Sequence, residues 1–74
     1  MNNQRRKDIA KALGLLAEAA SILSTAADEE QEAFDNMPEA LQDGEKGQQS
    51  SEYADKLREM ADQVEEYSNE DFSS

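Results

Sequence analysis

IAKALGLLAEAASILSTAADEEQEAFDNMP, residues 9–38, holds the two features that decide the fold: a long apolar stripe at helical spacing and the lone proline that closes it. Ile9, Leu13, Leu16, Ala20, Leu23 and Ala27 alternate steps of four and three, which puts them on one face of an α-helix. Phe34 and Met37 fall on the same track after the polar Glu30. A second column, Ala12, Ala19, Ala26 and Ala33, recurs every seven residues beside it, and a third, Leu15 and Ile22, widens the face again. Such a stripe is broader than a two-stranded seam and suits contact with two neighbours, with alanines that allow close approach. Upstream, Asn2 or Asn3 can cap the helix through a side-chain oxygen. Pro38 ends it, because proline has no N–H to donate and pushes the residue before it out of the helical region. The same proline fits the first position of a short turn through PEALQ.

Beyond the proline, Asp43, Gly44 and Gly47 mark either the connection or the capped start of a second helix. Tyr53, Leu57, Met60, Val64 and Tyr67 again alternate four and three, with Ala54 and Ala61 alongside, so this helix carries one buried seam. The spacing predicts helices over about 3–35 and 48–68, a turn over about 36–47 and a frayed tail over 69–74, in which Phe72 is the one candidate anchor. The second helix can start anywhere from Gly44 to Ser51, since Gly47 weakens its first turns. Residues 1–74 thus read as a single all-α domain, an antiparallel two-helix hairpin. One narrow seam cannot cover three apolar columns, so the expected assembly is a homodimer forming a four-helix bundle. The rival is a monomeric, partly molten hairpin.

Composition narrows the chemistry. The chain has no Cys and no His, which removes disulfides, thiolate sites and the commonest metal ligand and general base, and leaves the redox compartment open. Ser21, Ser24 and Thr25 have no histidine to activate them, and the three glycines do not form a phosphate cradle. There is no calcium-loop pattern and no Glu-x-x-His pair for a di-metal bundle, so no catalytic residue, metal ligand or cofactor is expected. The basic start followed by apolar residues has the order of a secretory signal, but Asp8, Lys11 and Glu18 interrupt it. No unbroken run approaches the ~18 apolar residues of a membrane span. The chain reads as soluble and cytoplasmic.

Charge is unevenly placed within a net −11. Residues 1–27 hold Arg5, Arg6, Lys7 and Lys11 against Asp8 and Glu18, whereas residues 28–74 hold sixteen acids against Lys46, Lys56 and Arg58. Such a field disfavours direct binding to nucleic acid or an anionic membrane and attracts a basic partner. In a hairpin, the cations at 5–11 would lie near Glu65, Glu66, Glu70 and Asp71 and help to orient the two helices. Two candidate faces emerge. Self-association or partner binding falls to Ile9, Leu13, Leu15, Leu16, Ile22, Leu23, Phe34, Tyr53, Leu57, Met60, Val64 and Tyr67. An acidic face is offered by Glu29, Glu30, Glu32, Asp35, Glu52, Asp55, Glu59, Asp62 and Glu66.

The run DEEQEAFDNMPEALQDGEKG, residues 28–47, resembles a segment of small acidic proteins of bacteriophages and prophages, which join an RRK-type start to a DEEQE-F-DN-PE-LQ stretch and a final acidic helix. The matching residues are those at 5–7, 29–32 and 34–36, with Pro38, Glu39, Leu41, Gln42, Glu45 and Gly47. Gly44 stands where such proteins often have a Ser before the Glu-basic-Gly triplet, which bears on how the second helix is capped. The resemblance implies a setting, the cytoplasm of an infected or lysogenic bacterial host, and no activity. Two non-enzymatic roles fit it. One is an acidic helical protein that assembles through apolar faces and binds a host or phage protein. The other is a DNA mimic whose acidic helix faces occupy the nucleic-acid site of a host enzyme.

Overall fold

A computed structural model describes residues 2–71; the candidate anchor Phe72 lies outside them. The described chain is all-helical: α1 spans Asn3–Asp35, α2 Glu39–Gln42 and α3 Glu45–Ser68. Asn2 caps α1, its side-chain Oδ1 accepting the Arg5 backbone N–H at 2.8 Å. Gly14 does not break the helix, and α1 continues without interruption past Ala27 and through the acidic residues to Asp35. The Asn36 and Met37 N–H groups then close on the Glu32 and Phe34 carbonyls at 3.0 and 3.1 Å. Pro38 stands at the cap position of α2, one place earlier than its sequence suggests, and its carbonyl accepts from Leu41 at 2.8 Å and Gln42 at 3.1 Å.

The second long helix begins earlier than about residue 48. Gly44 is its cap, with no side-chain acceptor, and Gly47 lies inside the first turns rather than in the connection. The reason is steric. A Cβ on Gly47 would fall 2.6 Å from the Gln42 Cα, with the Gln42 carbonyl oxygen nearer still, so glycine is what lets α2 sit against the start of α3. Gln42 in turn donates from Nε2 to the Phe34 carbonyl at 3.0 Å, tying the turn to the end of α1.

Later residues of α3 meet earlier residues of α1. Ser50 Oγ donates to Glu30 Oε1 at 2.6 Å, Arg58 approaches Asp28 at 3.8 Å, and Ala61 shares a groove with Ala20 and Ala17. The line of closest approach is made of small residues: Ala20 and Ala27 on α1, and Gly47, Ser50, Ala54 and Ala61 on α3, are the buried positions. Ala27 and Ala54 are fully buried, at 0% exposure. Ile9, Leu13, Leu16, Leu23, Phe34 and Met37, with Leu57 and Val64, flank this line half-buried. The seam of α3 is therefore turned from the expected one. Its centre is the Gly47–Ser50–Ala54–Ala61 line, which includes the two alanines expected alongside the seam. Of the five larger residues read as the seam, Leu57 and Val64 are half-buried and Tyr53, Met60 and Tyr67 stand 50%, 45% and 57% exposed. Small side chains permit the close approach, and the larger ones are displaced to one side.

The molecule is a rod, 59 Å long and 13 Å in its other dimensions. Counting back ten residues from Glu30 and forward ten from Ser50 sets position 20 level with position 60, and position 12 level with the end of α3 at Ser68. The first turns of α1 thus extend beyond the last turn of α3.

Candidate interaction surfaces

The helix pair presents two unlike sides. One is polar: Ala17, Ala20, Ser21, Ser24 and Thr25 of α1 and Ala61, Asp62, Glu65 and Ser68 of α3 line a shallow groove, which Asn69 closes at its end. Asp28 and Arg58 lie on this side, and Arg58 also approaches Asp55 at 4.0 Å. These charges are largely solvated, with 45% of the Arg58 side chain and 76% and 78% of the two aspartates exposed, so each pair contributes about 0–1 kcal/mol at most.

The other side is apolar and uncovered. Glu30 of α1 and Tyr53, Lys56, Leu57 and Met60 of α3 line a depression there. Following α1 round from Ala27 past Leu23 leads to Ala12, Ala19 and Ala26 and then to Leu15 and Ile22, which are 56% and 63% exposed. Tyr53, Met60 and Tyr67 are the corresponding column of α3, again seven residues apart. These are two columns of large exposed apolar side chains, one along each helix, rather than singly scattered surface positions. Hydropathy leads to the same place. Within α1, an 18-residue stretch averages a mean hydropathy of 1.4 with 6% of it buried, so by length and composition this helix could cross a membrane. The average is raised by alanines and by Leu15 and Ile22 without any unbroken apolar run, and core helices of soluble proteins and N-terminal signal sequences reach the same level. Lys11 and Glu18 remain within this part of α1, and Ser21, Ser24 and Thr25 line its polar groove.

Of the acidic residues singled out from sequence, Glu29, Glu32, Asp35, Glu52, Asp55, Glu59, Asp62 and Glu66 are exposed. Glu30 is not part of that set in space: it is half-buried and accepts from Ser50. Glu52, Glu59 and Glu66, and beside them Asp55 and Asp62, recur every seven residues and make two carboxylate columns along α3, away from the apolar side. Among the described residues, no group of three or more acidic side chains is placed to hold a metal ion. Sequence reasoning missed Ser50, whose hydroxyl fixes Glu30; a serine in a polar run gives no periodic signal.

No protein-family model matches the chain, and comparisons with curated proteins and with solved structures find no match.

Proposed function

We propose that this is a non-enzymatic helical interaction protein, an antiparallel two-helix hairpin that pairs with a second copy into a four-helix bundle and presents its acidic outer surface to a protein partner. The observation that carries the reading is the uncovered patch of Leu15, Ile22, Tyr53, Met60 and Tyr67 on one side of a helix pair whose own buried line is only Ala, Gly and Ser. A 74-residue chain with so small a core gains most from covering that side. The alignment of the patch along both helices favours helices as the covering element. Resemblance of residues 28–47 to phage and prophage proteins supports a cytoplasmic role in an infected or lysogenic host, with no membrane or direct nucleic-acid binding. Analytical ultracentrifugation tests self-association. The expected result is a dimer whose thermal midpoint rises with protein concentration, and Ile22→Glu should give a monomer. A wild-type chain that sediments as a monomer at high micromolar concentration would refute it.

The two exposed carboxylate columns of α3 favour a second reading, a DNA mimic acting on a host nucleic-acid-binding enzyme. It requires low-salt binding to a basic host enzyme that duplex DNA competes away and that Glu59→Gln with Glu66→Gln weakens. Capture that persists in high salt excludes it.

A further inference from the structure

Resting on the self-association proposed above, we infer that the two copies meet with α1 antiparallel to α1, on a two-fold axis crossing the rod level with Ala20 and Met60. Three observations converge on this arrangement. The first is charge. Residues 3–11 carry Arg5, Arg6, Lys7 and Lys11 against Asp8, whereas residues 28–35 carry Asp28, Glu29, Glu30, Glu32 and Asp35 and no cation. A parallel pair would set like charge on like at both ends; an antiparallel pair sets the basic end of each α1 on the acidic end of the other. Lys11 and Glu32 flank the face on the same edge of the helix, which is the relation that antiparallel pairing brings together.

The second is shape. The uncovered face of α1 alternates small and large, with Ala12, Ala19, Ala26 and Ala33 beside Leu15 and Ile22. Reversed on itself about position 20, Ile22 of each copy lies over the partner's Ala19, and Leu15 over the partner's Ala26. The third is coverage. Turning α1 about that point brings residues 3–11, which overhang the last turn of α3, alongside 30–38 of the other copy, so the whole helix is matched. The same axis falls at position 60 of α3, where Tyr53 and Tyr67 stand symmetrically about Met60. A heterologous partner would have no reason to share that centre.

The cysteine-free chain allows a direct test with two single-cysteine variants, Ala12→Cys and Glu29→Cys, whose positions lie seventeen residues, about 25 Å, apart on one helix. Under mild oxidation each variant alone should stay uncrosslinked, and their mixture should yield the 12–29 disulfide, read by mass. In parallel, Lys11→Glu should weaken self-association about tenfold at low salt, and adding Glu32→Lys should restore it. A disulfide within either variant alone, or a dimer in which the mixture gives none, overturns the orientation while leaving self-association standing. A wild-type chain that never dimerises overturns both.

Discussion

Gly47 shows how a single missing atom shapes the connection. Its Cβ position is occupied by the backbone of Gln42, so Gly47→Ala forces α2 away from α3 and should cost about 1–3 kcal/mol in chemical denaturation. Gly14 is the internal control. Nothing lies within 4 Å of a Cβ there, and Gly14→Ala should raise stability by up to about 1 kcal/mol through helix propensity alone. If the two substitutions shifted the midpoint alike, the close approach at Gly47 would carry no energy. From sequence Gly47 was merely a glycine that weakens the first turns of a helix, because propensity is local and the Gln42 contact comes from the chain turning back. A cap at Asn2 or Asn3 was legible for the opposite reason, since the partner of the one that acts, Asn2, is the Arg5 N–H three residues away.

At the level of the helices, the period was readable and the rotation was not. Alternating fours and threes identified both long helices, and Pro38 identified where the first must end. Of the α3 seam read from sequence, Ala54 and Ala61 are buried and Leu57 and Val64 half-buried. Its centre was set too far toward Tyr53, Met60 and Tyr67, since hydrophobicity favours those three whereas close approach favours Gly47, Ala54 and Ala61. Helix separation decides between them, and a linear pattern does not encode separation. The line of small residues predicts an inversion of the usual rule for cores. Ala54→Leu, a more apolar residue at a fully buried site, should destabilise by about 1–3 kcal/mol, because three added heavy atoms have no space where the alanine is already at 0% exposure. The same substitution at the exposed Ala10 should leave the midpoint within about 0.5 kcal/mol. Equal tolerance at both sites would mean that the helices are not held at alanine distance.

For the molecule as a whole, the end where the chain turns is tied by specific polar links from side chain to neighbouring element. Gln42 to Phe34 and Ser50 to Glu30 lie there, and Gly47 is beside them. The far end has half-buried Leu13, Leu16 and Val64. Amide hydrogen exchange in the Ile22→Glu monomer should therefore be slowest around 27–30 and 50–54 and fastest toward both chain ends. Uniform protection along the rod would contradict that gradient. The candidate faces were legible as residue types, and their separation onto two sides became visible with the rotation of α3. Because the seam beyond Ser50 repeats in sevens with small residues, its pattern is modular in length. Inserting matched seven-residue blocks into both helices, away from the turn, would stretch the rod by about 10 Å per block and keep every facing pair in step. Distance between the two ends is thus a property that could be altered without redesigning any contact at the bend.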